Sequence, residues 1–454
     1  MAVQQRPLPQ RAAKSNGTKL TLFKSPMVQQ RPLPQRAGKS NGTKPILFKA
    51  LMGGMGLTAL AFFVLFQTKY DLAVDESRII EDMLLSDTDL DRRYDVCIVG
   101  AGLSGSVLAE RYASELKSTV LVLEKRHHIG GNCYDFIDPE TGIRISKYGA
   151  HLFHTKYPHV ESYVKNFGKW VPYEHKVRGI VNGHHVPIPV NIETVNTLFG
   201  LNIQNPKEMN EWLLQEQVQY DHAPVNSEEI ALSRVGHRLY DLIFRPYTYK
   251  QWAKYPAELG PEVLSRIPVR NNTDERYFSD PFQALPQAGY TSIFEQMLSS
   301  PLITVRTKVD YFDVKDQLKC GKLYFSGPID AYFADTGWPK LEYRSLDFER
   351  KVEKNSGTFQ PHFVVNHPQN NTDFTRIVEY KHLFNQKSDY TVYFIERSKD
   401  GGEPYYPVPN EKNKALFQKY KGMASRAPDV TFVGRLANYK YFNMDGTSFG
   451  GWPV

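Results

Sequence analysis

The chain has 454 residues, of which 41% are hydrophobic and 13% aromatic, and its formal net charge is +7. This composition suits a globular enzyme of two or three domains and excludes a chain that is disordered throughout. The positive charge does not indicate nucleic-acid binding, because residues 1–70 contain no Asp or Glu and account for the whole excess. The histidines and the three cysteines lack metal-ligand spacing, and we predict neither a metal site nor a disulfide framework.

The first 49 residues contain a repeat. Residues 3–24 recur almost unchanged at residues 28–49, and both copies are rich in Pro, Gln, Lys and Ser. Such segments cannot bury a hydrophobic core. We therefore predict a disordered basic tail over residues 1–49, and no function follows from the repeat.

An uncharged run covers residues 50–66 and is flanked by Lys49 and Lys69. Its length is at the lower limit for crossing a bilayer, and the Lys/Arg bias places the basic tail on the cytoplasmic side. We predict a transmembrane signal anchor over residues 50–68, an acidic stalk over residues 69–92, and a single-pass protein of the Golgi or another endomembrane. The alternatives are an organelle-targeting peptide and a cytoplasmic protein with an amphipathic segment.

From residue 94 the pattern is typical of a dinucleotide-binding unit. A short apolar run is followed by a glycine-rich turn, a helix-like segment and a second apolar run that ends in Glu124. The turn contains Gly100, Gly102 and Gly105. In such units the glycines admit a pyrophosphate to the start of the helix, and the acid binds a ribose.

A second glycine pair, residues 130–131, comes soon after this acid. Nicotinamide enzymes usually leave the acid through a variable loop, whereas the order of acid, basic residue and Gly-Gly resembles flavin enzymes such as the amine oxidases. We therefore predict FAD as the cofactor. The predicted fold is α/β, with a Rossmann-like FAD-binding core, a helical insert and an additional antiparallel sheet domain.

The enzyme domain is predicted to cover residues 93–454. Its FAD-binding part is discontinuous, over residues 93–180, 300–345 and 430–454, because strand-like segments recur late in the chain. A helical substrate insert is predicted over about residues 192–265.

Several further motifs, taken together and in order, make the chain similar to one family. They are KYGAHLFHT at residues 147–155, YTYKQW at 247–252, RIPVR at 266–270, EPYYP at 403–407 and GRLA at 434–437. From residue 94 to about residue 444 the chain resembles the bacterial type of UDP-galactopyranose mutase. The resemblance implies an isomerase that interconverts UDP-galactopyranose and UDP-galactofuranose through attack of reduced FAD on the anomeric carbon, with NADPH or NADH as reductant. The sequence does not decide between a monomer and a homo-oligomer.

The same resemblance assigns roles to individual residues. The cofactor-binding set is Gly100, Gly102, Leu103, Gly105, Glu124, Lys125, Gly131, Asn132, His154, Arg435 and Asn443. The substrate-binding set, which would hold a UDP-galactose nucleotide sugar, is Tyr247, Thr248, Trp252, Tyr277, Arg344, Tyr406 and Tyr441. The catalytic set is Arg266 and Arg376, which would grip the diphosphate, and His151, which would lie at the flavin face.

The chain departs from the family near its C-terminus. Asn443 stands where the family has Asp, and residues 445–454 contain three glycines and a proline. We therefore predict that the family's C-terminal helix is absent and that FAD binding is weakened. This leaves two alternatives: a membrane-tethered, catalytically impaired nucleotide-sugar-binding flavoprotein, and a flavin amine oxidase-like oxidoreductase. The second is disfavoured because an amine substrate has no use for a diphosphate clamp.

Overall fold

The computed structural model describes residues 86–427 and 429–449. The strands are, in chain order, β1 Arg93–Val99, β2 Val120–Glu124, β3 Asp135–Ile137, β4 Arg144–Ser146, β5 Phe153–Thr155, β6 Trp170–Pro172, β7 Val177–Val181, β8 His184–Ile188, β9 Phe282–Pro286, β10 Ile303–Thr307, β11 Lys319–Phe325, β12 Tyr343–Glu353, β13 Val364–Asn366, β14 Arg376–Glu379, β15 Thr391–Asp400, β16 Tyr406–Pro407 and β17 Val430–Phe432.

The α-helices are α1 Asp87–Asp91, α2 Leu103–Ser114, α3 Pro158–Lys165, α4 Ile192–Phe199, α5 Pro206–Glu216, α6 Ser227–Leu239, α7 Arg245–Trp252, α8 Glu262–Ser265, α9 Tyr290–Met297, α10 Tyr311–Val314, α11 Ile329–Tyr332, α12 Glu411–Ala424, α13 Gly434–Ala437 and α14 Met444–Phe449. A π-helical segment covers Tyr240–Phe244, and short 3-10 helices cover Gly131–Cys133, Pro256–Glu258, Ala334–Thr336 and Tyr380–Asn385.

One sheet has five strands in the order β10-β2-β1-β11-β17, and all neighbouring strands run parallel. At its centre, Ile98 of β1 is fully buried and pairs with Val122 of β2 and Tyr324 of β11. A parallel sheet is covered on both faces, which is why β2 is a continuous apolar run. The glycine turn and α2 follow β1 directly, and the predicted Rossmann-like α/β core is confirmed.

A second sheet has seven strands in the order β16-β12-β15-β14-β13-β7-β8. It is antiparallel except where β13 pairs with β7, and it is the additional antiparallel sheet that the sequence predicts. The pairing places Arg376 of β14 opposite Glu396 of β15, and Arg344 of β12 opposite Asp400 of β15. Charged residues from different strands are thereby brought together on this sheet.

Helices α4 to α8 lie between β8 and β9 in the chain. Helix α6 is kinked at Gly236, where φ is 69° and a Cβ atom would lie 2.1 Å from the carbonyl oxygen of Glu216. The π-helical segment then leads into α7, which carries Tyr247 and Trp252. Segments of this kind inside helices occur frequently at functional sites.

The N-terminal predictions fall largely on residues that the structure does not describe. The tail over residues 1–49, the anchor over residues 50–68 and most of the stalk over residues 69–92 lie outside the described residues. The end of the stalk is helix α1, and there Asp89 is buried against Arg306, with 2.6 Å between Oδ2 and Nε. The last stalk residues therefore pack against the β10 strand of the enzyme domain.

The predicted membrane localisation is corrected. Across the described part of the chain, residues 86–427 and 429–449, no helix combines the length and the apolar composition needed to cross a membrane. The single-pass topology and the Golgi or endomembrane assignment are therefore not retained.

Part of the C-terminal segment, for which we expect no helix, is helical. Residues Met444–Phe449 form helix α14, which lies against α2. The Thr155 hydroxyl donates a hydrogen bond to the Asp445 carboxylate at 3.2 Å, so this helix contacts the strand that follows His151. The prediction treated residues 445–454 as one segment; Gly446 lies within the helix, and residues 450–454 lie outside the described residues.

A disulfide joins Cys97 on β1 to Cys320 on β11, with 5.7 Å between the Cα atoms. We predicted no disulfide framework because the cysteine spacing follows no known pattern. The two residues are 223 positions apart in the sequence, and only the pairing of β1 with β11 brings their strands together.

Candidate active site

Two glycine loops form a cradle at the N-terminus of α2. A Cβ atom on Gly105 would lie 1.9 Å from the carbonyl oxygen of Gly100, so this position admits only glycine. A Cβ atom on Gly131 would lie 2.8 Å from the Cα atom of Gly102, where the two loops meet. A surface of bare backbone at a helix N-terminus is suited to a pyrophosphate. These loops therefore fit the dinucleotide cofactor that the sequence predicts.

The acid at the end of β2 is held by backbone hydrogen bonds. Glu124 is 6% exposed, and its two carboxylate oxygens accept hydrogen bonds from the amides of Ala101 at 3.0 Å and Arg126 at 2.9 Å. Its position beside the glycine turn is therefore fixed. A carboxylate in this place is the usual ribose ligand of a dinucleotide-binding unit.

The cradle opens into a cavity of about 1460 Å³. Its walls include eight of the eleven predicted cofactor-binding residues, namely Gly100, Gly102, Leu103, Glu124, Lys125, Gly131, Asn132 and Arg435. His151 and Trp252 also line it. Gly105 instead serves the packing of the turn, and neither His154 nor Asn443 is among the described residues that form the wall.

A cluster of arginine and tyrosine side chains contains most of the remaining predicted site residues. The Cζ atoms of Arg266 and Arg435 lie 4.6 and 5.0 Å from the centre of the Tyr441 ring. The ring centres of Tyr406 and Tyr441 are 6.1 Å apart. Two guanidinium groups thus converge on one aromatic side chain, an arrangement suited to an anionic ligand with aromatic parts.

Arg376 is held by a buried carboxylate. Its Nε atom lies 2.6 Å from Oε2 of Glu396, which is 1% exposed. Burial has the largest single effect on the pKa of Arg376 and lowers it, but Glu396, Tyr247 and Tyr406 together raise the pKa above the usual range. The other carboxylate oxygen, Oε1, is buried without a hydrogen-bond partner among the described residues. Sequence reasoning missed Glu396, although an acid inside the apolar start of β15 was a usable signal.

The helix α7 supplies three predicted substrate residues with different environments. Trp252 is 7% exposed and its ring centre is 6.2 Å from that of Tyr406. Burial raises the pKa of Tyr247 to about 12, and this residue lies in the field of Arg376. Thr248 is 2% exposed and packs into the core beside them.

His151 lies on the cavity wall and is influenced by the charges of two arginines. Its Nδ1 atom is 3.0 Å from the carbonyl oxygen of Gly149. Burial lowers the pKa of His151 to about 4, and the charges of Arg435 and Arg376 act in the same direction. The imidazole is therefore neutral near pH 7.

His154 does not face the cavity as predicted. Its Nδ1 atom lies 2.5 Å from the Asp280 carboxylate, and its ring stacks on Phe278 with 3.7 Å between the centres. These contacts position the β5 strand rather than a cofactor.

A second buried histidine, His175, was missed by sequence reasoning. It is 6% exposed, its ring centre is 5.6 Å from that of Tyr277, and its Nδ1 atom has no hydrogen-bond partner among the described residues. Burial lowers the pKa of His175 to about 3, and the charge of Arg376 adds to this effect. Its sequence context, an isolated histidine before a strand, gives no signal of this role.

Arg344 lines the cavity, but protein groups hold its guanidinium. It is 4% exposed and forms an ion pair with Asp400, while its Nε atom donates to the carbonyl oxygen of Gln251 at 3.2 Å. It therefore fastens the end of α7 to the second sheet. Its guanidinium is already engaged by protein groups and is not part of the cluster around Tyr441.

The fold and these contacts are those of a Rossmann-like protein in which a glycine cradle and a cluster of arginine and tyrosine side chains share Arg435 or lie beside it. Comparison with known proteins shows which protein family the chain is similar to. The sequence pattern of the UDP-galactopyranose mutase family matches residues 242–441, and that of an NAD(P)-binding Rossmann-like domain matches residues 98–167.

Three curated relatives are similar over most of their length. A probable UDP-galactopyranose mutase of Klebsiella pneumoniae is 36% identical, over 78% of this chain and 91% of its own. A dTDP-fucopyranose mutase of Escherichia coli is 35% identical, over 77% and 94%. A UDP-galactopyranose mutase of Mycoplasma genitalium is 32% identical, over 78% and 91%. The crystal structure of a reduced UDP-galactopyranose mutase shares the fold, with a TM-score of 0.64 at 19% identity, over 78% of this chain and 93% of that one.

The chain belongs to the UDP-galactopyranose mutase family. It is accordingly an isomerase with a flavin cofactor.

Proposed function

We propose that this chain is an FAD-dependent enzyme that interconverts UDP-galactopyranose and UDP-galactofuranose. The observation that carries the proposal is the convergence of Arg266, Arg376 and Arg435 on the tyrosine cluster next to the glycine cradle. A dinucleotide and a nucleotide sugar both carry a diphosphate. The backbone-lined glycine cradle would bind the first diphosphate, and the arginines would bind the second.

FAD is the proposed form of the flavin. The backbone of Gly100, Gly102 and Gly131 would hold its pyrophosphate, and Glu124 would accept hydrogen bonds from its adenosine ribose. Bound FAD, once reduced by NADPH or NADH, would supply the electron pair for attack on the anomeric carbon, so that the chain itself would not need to supply a nucleophile.

The chain's own contribution is to bind and stabilise charge. Arg266 and Arg376 would hold the substrate diphosphate, whose negative charge increases as the bond to the anomeric carbon breaks. Glu396 fixes the Arg376 guanidinium by its hydrogen bond to Nε, which leaves the terminal nitrogens for phosphate oxygens. Trp252 would stack on the uracil, and Tyr247, Tyr277 and Tyr406 would donate hydroxyl hydrogen bonds.

The histidines would control protons near the sugar. His151 is neutral near pH 7 because its pKa is lowered to about 4 by burial, so one of its ring nitrogens can accept a proton or hydrogen bond there. His175 is a second buried histidine, beside Tyr277, and its Nδ1 atom lacks a hydrogen-bond partner among the described residues.

One alternative predicted from the sequence was an impaired binding protein. It depended on the absence of a C-terminal helix, whereas residues Met444–Phe449 form the short helix α14. A second candidate follows from the E. coli relative, whose name describes a mutase of a thymidine nucleotide sugar. Both kinds of substrate carry the diphosphate that the arginines would bind, so the sugar and base must be tested directly.

The experiment is to purify the chain, record the flavin spectrum, reduce the protein with dithionite and supply UDP-galactofuranose. We expect a flavin absorbance in near one-to-one ratio with protein and formation of UDP-galactopyranose. A parallel reaction with dTDP-fucofuranose identifies the preferred substrate. A colourless protein, or a flavoprotein that converts neither compound, would contradict the proposal.

A further inference from the structure

The loop over residues 400–405 connects β15 to β16, and we refer to it as the strap. It lines the cavity together with residues 124–126 at the end of β2, so the two segments face the same space from the two sheets. Because these segments come from different sheets, the width of the opening between them depends on the position of the strap.

The two ends of the strap are fixed to the second sheet. Asp400 forms an ion pair with the buried Arg344, and the amide of Tyr405 donates to the carbonyl oxygen of Arg344 at 3.0 Å. Between these anchors, Gly401 and Gly402 have φ values of 71° and 91° and are exposed. Both lie in the left-handed region that glycine adopts without strain, so the strap can change conformation between two fixed points.

Glu403 ties the middle of the strap to the Rossmann-like core. Its carboxylate forms an ion pair with Arg126, which also donates to Asn132 Oδ1 at 2.9 Å. The Arg126 guanidinium lies 4.3 Å from the ring centre of Tyr148, and the Arg126 amide donates to Glu124. Arg126 is thus held by three segments around the cavity and is a rigid point of attachment.

We propose that the strap is a gate over the cofactor cavity and that the Arg126–Glu403 ion pair is its latch. The proposal rests on the proposed function, in that the cavity holds FAD. The latch consists only of side chains of this chain, and Glu403 has no assigned role in binding the cofactor. The ion pair therefore has the same strength with and without FAD. It limits the rates at which FAD is taken up and released, but it does not set the affinity for FAD.

The exposure of the latch makes its strength sensitive to salt. The Glu403 side chain is 42% exposed and that of Arg126 is 16% exposed, so the carboxylate is in contact with solvent. Loss of such a partly exposed charged pair should speed both steps by about tenfold, which is less than a fully buried pair would give. High salt should have the same effect in a weaker form.

The test compares Glu403→Gln with the wild-type chain in stopped-flow measurements of FAD binding and release. Glu349→Gln is the matched control, because Glu349 pairs with Arg397 at 2.7 Å on the same sheet, has a side-chain exposure of 36% and does not line the cavity. We expect both rates to rise about tenfold in Glu403→Gln, with the Kd changed by less than about threefold. The control should match the wild type.

A second measurement follows the strap itself. Amide hydrogen exchange at Gly401 and Gly402 should become faster in Glu403→Gln and stay unchanged in Glu349→Gln. Unchanged FAD rates in a Glu403→Gln variant of a flavin-binding chain would overturn the gate. Faster release with unchanged uptake would also overturn it, because Glu403 would then be a binding residue. A wild-type chain that takes up no flavin would instead refute the proposed function, and the gate with it.

Discussion

The two ligand-binding regions of this molecule are built from different parts of the chain. The cofactor region is mostly backbone: the loops of Gly102 and Gly131 meet so closely that a Cβ atom on Gly131 would lie 2.8 Å from the Cα atom of Gly102. The substrate region is mostly charged side chain, with Arg376 and Glu396 on neighbouring strands and Arg266 beyond α8. The first region is therefore sensitive to volume and the second to charge and hydrogen-bond geometry.

The largest effect is expected from adding a side chain to the cofactor region. A Cβ atom on Gly102 would lie 3.7 Å from the nearest other atom, the Cα of Gly131, which is an ordinary contact. Gly102→Val should therefore fold but fill the space of the pyrophosphate. We expect FAD affinity to fall by about 100-fold or more, equivalent to at least about 2.7 kcal/mol.

Flavin absorbance per mole of protein and the Tm check this prediction. Gly422→Val on α12, where nothing lies within 4 Å of an added Cβ atom, is the control for a new side chain and should keep its flavin. A yellow Gly102→Val protein with normal flavin content would refute the assignment of the cradle.

In the substrate region, the corresponding test replaces an arginine by lysine, which keeps the positive charge of the side chain but changes its hydrogen-bond geometry. Arg266→Lys and Arg376→Lys retain a cation but lose the planar fork that binds two phosphate oxygens. We expect kcat/KM to fall about tenfold to a thousandfold, or about 1.4 to 4 kcal/mol, with normal flavin content. Arg397→Lys, on the strand that carries Glu396, should leave kcat/KM unchanged. If both variants lose flavin instead, the separation of the two regions is wrong.

The smallest expected effect concerns stability and pH. Burial lowers the pKa of His175 to about 3 in the folded state, whereas an unfolded histidine titrates near its usual 6.5. The unfolded state therefore takes up the proton first, so this contribution to stability is complete above pH 6.5 and is lost as the pH falls toward 3. Each pH unit in that window costs at most about 1.4 kcal/mol.

His175→Phe should remove this dependence. Between pH 7 and pH 5 we expect its free energy of unfolding to fall by about 1 to 2 kcal/mol less than that of the wild type, as measured by urea denaturation. His184→Phe, at an exposed position on β8, is the control and should fall as the wild type does. Equal losses in His175→Phe and the wild type would show that His175 is protonated in the folded chain.

The same contrast explains what the sequence could predict. The cofactor region lies within a single stretch in which strand, glycine turn, helix and acid follow one another, so spacing alone indicates it. The substrate residues come from α7, β14, β16 and the residues after α13, and only the family resemblance connects them. Glu396 and His175 were missed because their importance arises from a neighbouring strand and from burial, which no local pattern reports.

Two predicted site residues are held by protein groups. Arg344 was assigned through the family resemblance, but Asp400 and the carbonyl oxygen of Gln251 already hold two of its nitrogens. His154 was assigned by its place in a motif, yet Asp280 and Phe278 hold it. The strap was not predicted at all, because the ion pair between Arg126 and Glu403 joins positions 277 residues apart.

The most direct test of the central claim is the dependence of turnover on the oxidation state of the flavin. The chain would be assayed with UDP-galactofuranose after dithionite reduction and again after full oxidation, with no other change. We expect conversion to UDP-galactopyranose by the reduced protein, with the flavin still reduced at the end, and no conversion by the oxidised protein. Equal turnover in both states would contradict it.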